Sequence, residues 1–483
     1  MKQSFILPSS IRLDRLFSEY ARQTALIAPS GSQTFNDVWK CLQNVMINLE
    51  KAGVRKGHCV AFYGENQELH LYLFLASWMM NFLYMPLDFK APLSRLISKR
   101  LCNFLITSED LPMKTYPKIL CPADVMLDNH YLPEKFCPRA IPFRREASVI
   151  FTSGSTGKPR GLVHTVGNYV YSALGTNEFI GITSADRWLI SLPLFHVGGV
   201  LIWLRTLLAG GTSILPGSLK NIDQAIALFR PSVISLVPAQ LIRLLDNPEM
   251  AAVCKSCRAI LLGGAPMPAW LIEKALDMGL PIITSYGSTE GCSQITGVAI
   301  GSPREDYTTA GRPLPYRDIR IDSDGSIMLG GKTLFKRYYE DEKPSHLLKD
   351  GYFKTADAGR IDSNSNLVCL GRTDGIFISG GENIQPFEIE NHLLTMENIA
   401  EAFVVPVDHH EFGKVSWAFL VTTESFNETA LINSLKKILP GYKVPKRIIR
   451  LDSKEKRGKM KYSRSELTKL AAKIANNHSA LAG

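Results

Sequence analysis

The sequence predicts an α/β protein: a large N-terminal domain of packed α/β sheets with a small antiparallel β subdomain, followed by a small α+β C-terminal domain. Three observations carry this. From about residue 147 onward, short β-branched runs alternate with helical patterns and end at clusters of small or polar residues. Between Ser232 and Thr284 the alternation is regular enough to read as βαβαβ, and beyond Asp318 it gives way to tight hairpins. The 483 residues, 45% hydrophobic and 21% charged, are ample for large cores, which excludes a stapled mini-scaffold, a disordered chain or a coiled coil.

Taken in order, the N-terminal MKQSFILPSSIRLDRLF lacks an apolar core of useful length and a small-residue cleavage site, so no export is expected and the cytoplasm is the expected compartment. Leu71 to Leu87 is apolar but only 17 residues long, contains Ser77, Asn81 and Pro86, and runs into Asp88. It reads as a buried helix leading into a buried strand rather than a membrane span. Ala147 to Phe151 is strand-like and opens onto a polar, Gly-rich loop. Strands at Ser232–Val237, Arg258–Leu262 and Pro281–Thr284, with helices over about 239–246 and 268–278, form the βαβαβ unit, hence a parallel sheet with right-handed crossovers. Such sheets bind ligands outside the carboxyl ends of their strands, which here read Gly263-Gly264-Ala265 and Ser285 to Glu290.

Asp318 to Leu329 alternates around Asp324-Gly325, and Arg360 to Leu370 around Asn364 to Asn366, both as hairpins. After Gly371-Arg372 come a Gly-rich stretch, a helix from about Pro386, strands near 402–407 and 417–422, a helix from Glu428 and a basic tail. This marks a separate domain beginning at 371 to 375.

The net charge of +10 sits almost wholly in that tail: residues 441–483 hold twelve basic side chains against three acids. Apart from Tyr442 and Tyr462 no aromatics interleave, so a stacking platform for nucleic acid is not expected. Nine irregularly spaced cysteines, mostly among apolar neighbours, fit reduced thiols, and the lone pair Cys254 and Cys257 reads as two incidental thiols rather than a zinc site.

The sharpest motif is Thr152-Ser153-Gly154-Ser155-Thr156-Gly157-Lys158-Pro159-Arg160-Gly161. Four hydroxyls, glycines that let the backbone approach closely, and a lysine suit the wrapping of a polyphosphate. Only two residues separate Gly154 from Gly157-Lys158, so the loop is not of Walker type.

This loop, with YGSTE, GYFKTAD, GRTD and a late Gly-Lys in that order, resembles the adenylate-forming family of acyl-CoA synthetases, adenylation domains and luciferases across essentially the whole chain. The resemblance implies activation of a carboxylic acid by ATP and Mg2+ to an acyl-adenylate, then transfer of the acyl group to coenzyme A. It implies that Thr152, Ser153, Gly154, Ser155, Thr156, Gly157 and Lys158 bind the ATP phosphates. Tyr286 would stack on adenine with Gly264, Ala265, Gly287 and Ser288 beside it, Thr289 would meet the α-phosphate, and Glu290, with Thr156, would associate with the metal. Asp357 would accept the ribose hydroxyls, although Ala356 stands where the family usually has Gly, which should perturb the turn. Arg372 would contact ribose and phosphate, and Asp374 would be the hinge of a mobile C-terminal domain, giving domains at 1–371 and 372–483.

Lys459, in Arg457-Gly458-Lys459-Met460, matches the lysine that reaches the α-phosphate and the reacting carboxylate. The preceding Ser453-Lys454-Glu455-Lys456 departs from the family, which leaves Lys461 and Lys456 open as that contact. Lys443, Lys446 and Arg447 are expected to meet the phosphates of coenzyme A. Ser191 to Gly199 places Phe195 and His196 after a strand, where the family faces its acyl pocket, and Gln294 follows in Gly291-Cys292-Ser293-Gln294. With SGGENI, these segments are most similar to the o-succinylbenzoate-CoA ligases of menaquinone biosynthesis, with His196 and Gln294 as substrate contacts. Fatty-acyl or aryl-acyl ligases, a carrier-loading adenylation enzyme and a degenerate nucleotide-binding protein are the other readings. The expected partners are a carboxylic acid, ATP and coenzyme A, with a homodimer left open.

Overall fold

The computed structural model describes residues 9–89, 102–109, 118–128, 140–152, 160–217, 222–265, 267–341, 350–372, 375–396, 398–409, 411–422, 425–451 and 462–479. Two seven-stranded sheets dominate. The first runs Arg337–Tyr338, Gly161–Thr165, Glu146–Phe151, Leu83–Pro86, Cys59–Tyr63, Phe104–Thr107, Lys118–Leu120. Its last five strands are parallel and the first two antiparallel. The second runs Ile282–Thr284, Ala259–Leu262, Val233–Leu236, Arg187–Leu189, Thr212–Ile214, Thr24–Ala28, Gly31–Thr34, parallel except for the last pair.

Helices Gln67–Met80, Val166–Ile180 and Val197–Ala209 fill one core with residues of both sheets, Val60 and Tyr84 from the first, Leu26, Trp188 and Val233 from the second. Every residue from Leu69 to Trp78 is buried, so this helix is apolar on all sides because it is covered on all sides. The helix is 14 residues long and is followed by the strand Leu83–Pro86, as the sequence implied. Among the described residues no helix is long and apolar enough to cross a membrane.

The βαβαβ unit holds parallel strands in the expected order, with Val233 beside Ala259 and Ile260 beside Ile282. It also contains a helix that the sequence reading did not anticipate, Pro248–Lys255. Its start signal is Asn247-Pro248: the Asn247 side chain accepts from the backbone of Glu249 and Met250, and proline fits the first helical position. Four antiparallel strands follow, Arg317–Ile321, Ser326–Gly331, Phe353–Ile361 and Leu367–Arg372, paired as the two hairpins require.

Beyond residue 375, strands Ile399–His409, Gly413–Thr422 and Arg447–Arg450 carry helices Pro386–Leu394, Glu428–Lys436 and Arg464–Ser479. One face has its own core, with Ile389, Leu393, Val404, Leu420 and Leu435. The other face, with Val405, Trp417 and Phe419, packs with Leu241, Leu245 and Leu271 of the larger part, and Trp270 Nε1 donates to the Ile399 carbonyl at 3.1 Å.

Asp186 ties three strands of the second sheet together at their amino ends. Its buried carboxylate accepts from Thr183 N (2.8 Å), Ser232 Oγ (2.8 Å) and Arg258 Nε and Nη2 (2.9 and 2.7 Å). Burial pushes this carboxyl up, but the bonds from Arg258, Thr183 and Ser232 outweigh it and hold the group below its usual value. The carboxylate therefore stabilises the fold above the ordinary Asp range and loses that contribution as pH falls through its depressed folded value. Asp186→Asn should cost about 2 kcal/mol at pH 7. Thermal midpoints of the two proteins should converge as pH drops below about 4; a gap that stays constant with pH would contradict this role.

Candidate active site

The polar loop leaves the first sheet after Glu146–Phe151 and returns as Gly161–Thr165, with Phe151 opposite Gly161. Thr152 N donates to the Arg160 carbonyl at 3.0 Å and closes the base of the loop. The connection is strand–loop–strand, unlike the strand–loop–helix of a Walker site. Thr152 stands at its mouth, while Ser153, Gly154, Ser155, Thr156, Gly157 and Lys158 lie outside the described residues. Gly161 is sterically required, because a Cβ there would sit 2.8 Å from Val149 Cγ1.

The segment that follows the second sheet is bonded to the Gly161–Thr165 strand, through His164 at the Thr289 carbonyl. Ala259–Leu262 ends in Gly263-Gly264-Ala265, and Ile282–Thr284 ends in a short ribbon, Gly287–Ser288 paired with Ser293–Gln294. Thr289 and Glu290 lie in the turn of that ribbon. Ser288 Oγ accepts from Gly291 N at 3.1 Å, and the Thr289 carbonyl accepts from Cys292 N at 3.1 Å. Cys292 and Ser293 adopt φ of 58° and 82°, two consecutive side-chain-bearing residues in left-handed conformation. Main-chain and side-chain donors from elsewhere hold the turn: Phe335 N to the Glu290 carbonyl (2.9 Å), Ser172 Oγ to the Cys292 carbonyl (2.6 Å) and His164 Nε2 at the Thr289 carbonyl (2.8 Å).

Glu290 is partly buried and makes no ion pair with the described residues. Burial raises its carboxyl above the usual range, only partly opposed by hydrogen bonds from its own backbone and Ser288. A desolvated carboxylate oxygen without a cationic partner fits a hard divalent cation.

Tyr286 Oη donates to Asp357 Oδ2 at 2.7 Å, and Arg372 Nη1 lies 3.4 Å from Asp357 Oδ1. The structure thus brings these three residues, all expected to contact the nucleotide, into one cluster, with Asp357 opposite Arg372 in the strand ladder. The expectation that Ala356 disturbs a turn is corrected: residues 353–361 form a strand and Ala356 is not among the positive-φ residues, so glycine is not needed there.

Of the residues expected to face the acyl pocket, His196 precedes the Val197–Ala209 helix, exposed, its ring 4.6 Å from that of Phe195. Gln294 is buried; its Oε1 accepts from Thr176 Oγ1 (3.2 Å), its carbonyl accepts from Arg317 Nε (2.7 Å), and its Nε2 has no partner. Sequence reasoning missed Arg205, on the Val197–Ala209 helix and 1% exposed. Its Nη2 reaches Ser293 Oγ at 3.4 Å, its Nε has no partner, and among the described residues no carboxylate pairs with it. Burial, helped by nearby Arg317, lowers its pKa to about 9. Arg317 is also buried but donates to the Gln294, Pro315 and Ser172 carbonyls, a structural role. The available signal for Arg205 was a lone cation inside the apolar run LIWLRTLLAG.

Lys459 and Asp374, with Lys456 and Lys461, lie outside the described residues. The flanking chain is anchored: Tyr462 packs on Phe403, and Arg464 pairs with buried Glu390. Lys443, expected to face coenzyme A, is instead engaged by Glu388 at 2.7 Å. Lys446 lies 5.5 Å from the Phe412 ring and Arg447 5.2 Å from the Trp417 ring.

The chain is similar to known proteins over most of its length. Residues 13–339 match the AMP-binding enzyme family and residues 388–461 the AMP-binding enzyme C-terminal domain. The chain is 32% identical over 459 residues to 2-succinylbenzoate--CoA ligase of Bacillus subtilis, covering 92% of this chain and 94% of that protein. Its structure is similar to B. subtilis o-succinylbenzoate CoA synthetase in complex with the acyl-adenylate intermediate OSB-AMP, with TM-score 0.82, 30% identity, and 94% and 97% of the two chains covered. The same enzyme in complex with ATP and magnesium ion matches at TM-score 0.80 and 31% identity, over 91% and 95% of the chains.

The Tyr286–Asp357–Arg372 cluster yields a direct test. Asp357→Asn should raise the KM for ATP by about 10- to 100-fold, the loss of one or two hydrogen bonds to a charged acceptor. Tyr286→Phe should cost less, because the ring surface expected to cover the base remains. Initial-rate kinetics with varied ATP check the order of the two effects.

Proposed function

The chain belongs to the AMP-binding enzyme family, and on that premise we propose that it is an AMP-forming acid–CoA ligase that converts o-succinylbenzoate to o-succinylbenzoyl-CoA for menaquinone biosynthesis. The observation that carries the substrate is Arg205. o-Succinylbenzoate has two carboxylates; one is activated, and the other stays anionic and must leave water for the pocket. A buried guanidinium without an acid partner, near Ser293 and the face of Trp188, is a costly arrangement unless such an anion joins it, and the Gln294 Nε2 is a second buried donor without a partner. A fatty acid or simple benzoate brings no second charge and would leave Arg205 uncompensated.

In the reaction the acid's carboxylate oxygen attacks the α-phosphorus of ATP; an oxygen–phosphorus bond forms, the bond to the β-phosphate bridge breaks, and pyrophosphate leaves. Thr152 to Lys158 wrap the phosphates, Thr289 donates to an α-phosphate oxygen, and Lys459 offsets the repulsion between two anionic reactants. Glu290 and Thr156 would hold the magnesium ion, which supplies neutralisation of phosphate charge when bound. Tyr286 covers adenine, and Asp357 and Arg372 hold the ribose. His196 borders the acyl chain. The chain divides into parts 1–371 and 372–483, and rotation at Asp374 then withdraws Lys459 and admits the thiol. The coenzyme A sulfur attacks the acyl carbon, its proton passes to solvent, and AMP leaves. With Lys443 engaged by Glu388, the coenzyme A phosphates fall to Lys446 and Arg447. An enzyme that consumes ATP and coenzyme A works in the cytoplasm.

ATP–pyrophosphate exchange with o-succinylbenzoate, benzoate, fatty acids and amino acids should respond to o-succinylbenzoate; strong exchange only with a fatty or simple aryl acid would overturn the substrate. Arg205→Ala should raise the KM for o-succinylbenzoate by about 10- to 100-fold with ATP binding unchanged. Lys459→Ala should abolish exchange yet retain thioester formation from preformed acyl-adenylate. If Lys461→Ala shows that split and Lys459→Ala does not, the adenylation lysine lies two residues further on.

A further inference from the structure

His164 lies on the Gly161–Thr165 strand, fully buried, with Nε2 2.8 Å from the Thr289 carbonyl oxygen. Burial lowers its pKa to about 4, so the ring is neutral near pH 7. A neutral imidazole at that distance from a carbonyl presents an N–H, which places the proton on Nε2; Nδ1 makes no hydrogen bond of normal geometry, and the Leu162 carbonyl acts on the ring less strongly than that of Thr289. A polar ring with one unsatisfied nitrogen is an expensive filler for a core position that an apolar side chain could occupy. What distinguishes this position is the carbonyl it holds.

The Thr289 carbonyl belongs to the peptide between Thr289 and Glu290, so its direction fixes where the Thr289 hydroxyl and the Glu290 carboxylate start from. The next peptide is held from the same side, by Phe335 N at the Glu290 carbonyl. The 335–339 segment is in turn bonded to the histidine's strand, through Lys336 N to the Val163 carbonyl (2.9 Å) and Tyr339 N to the Gly161 carbonyl (2.7 Å). Behind the imidazole, the Tyr169 ring lies 5.5 Å away with its hydroxyl 2.6 Å from Ser148 Oγ, which limits ring motion. The strand emerging from the phosphate loop and the turn bearing Thr289 and Glu290 are therefore one hydrogen-bonded unit.

We propose that His164 is a positioning residue for adenylation: its Nε2–H holds the Thr289 carbonyl and thereby registers the Thr289–Glu290 turn against the Gly161–Thr165 strand that follows the phosphate loop. The role concerns the first half-reaction, because only that step needs the turn and the loop to engage the triphosphate together. It rests on the acid-activating function proposed above.

The test compares His164→Phe, which fills the space without a donor, with His164→Gln, whose amide N–H can reach the same carbonyl. The Phe variant should lose about 10- to 30-fold in kcat of ATP–pyrophosphate exchange, with KM values within about threefold and thioester formation from preformed acyl-adenylate nearly unchanged. The Gln variant should recover most of the loss. Exchange by the Phe variant within twofold of wild type, equal loss in both half-reactions, or a Gln variant as poor as the Phe variant would each overturn the role. Should the Phe variant not fold, 15N-histidine NMR of the wild type decides: His164 should carry its proton on Nε2 and shift on MgATP binding, and an Nδ1–H form or an unmoved signal overturns the proposal. Absence of exchange in the wild type with every acid would instead overturn the acid-activating function.

Discussion

The turn from Ser288 to Ser293 holds a conformation that its own residues do not favour, and the arrangement of the site depends on the bonds that keep it there. Two left-handed residues in succession cost on the order of 1–3 kcal/mol each. The cost is met by donors from three separate parts of the chain, Ser172, Phe335 and His164, and by Gly287, where a Cβ would lie 2.4 Å from the Ser293 carbonyl. Those donors sit on the Val166–Ile180 helix, on the Gly161–Thr165 strand and just before the Arg337–Tyr338 strand, so the turn is fixed only when the first sheet and this helix are assembled around it. Thr289 and Glu290 are thus placed by the meeting of the sheets rather than by the loop that contains them.

Buried charge is used in three different ways in this molecule. Arg317 spends its donors on backbone carbonyls and binds the ribbon to the Val166–Ile180 helix. Glu390 and Arg464 pair with each other and with the Val404 backbone, which fastens the C-terminal helix a few residues after the lysine segment. Arg205 has neither solution among the described residues; it lies by the Trp188 ring, reaches only Ser293 Oγ at 3.4 Å, and its Nε has no partner. Since a buried cation is tolerated only with an acceptor, the first two are explained by the fold, and the third is the one on which the proposed substrate rests.

The C-terminal part has a core of its own and a second apolar face docked on the Pro238–Leu245 and Ala269–Asp277 helices. That combination suits a body which keeps its internal structure while its contact with the larger part is exchanged. The surplus positive charge of the tail is partly consumed internally, by Glu388 and Glu390, so net charge along the sequence overstated what is offered to a ligand.

The sequence by itself determined the α/β class, the parallel βαβαβ unit, both hairpins and the linear order of the nucleotide motifs, because period-2 and period-3.6 patterning and glycine placement are local properties. It did not reveal the Pro248–Lys255 helix, whose Asn247-Pro248 signal is short, nor that Gly161–Thr165, beyond the polar loop, pairs back antiparallel on Glu146–Phe151. Tyr286, Asp357 and Arg372 were legible as separate motifs, but their union through one carboxylate required the tertiary fold. Arg205 and His164 were not legible as functional residues at all: in sequence one is a cation in an apolar helix and the other a histidine in a strand. Only tertiary structure decides which burial leaves a charge unpaired and which nitrogen meets the Thr289 carbonyl, because both depend on partners more than 80 residues away along the chain.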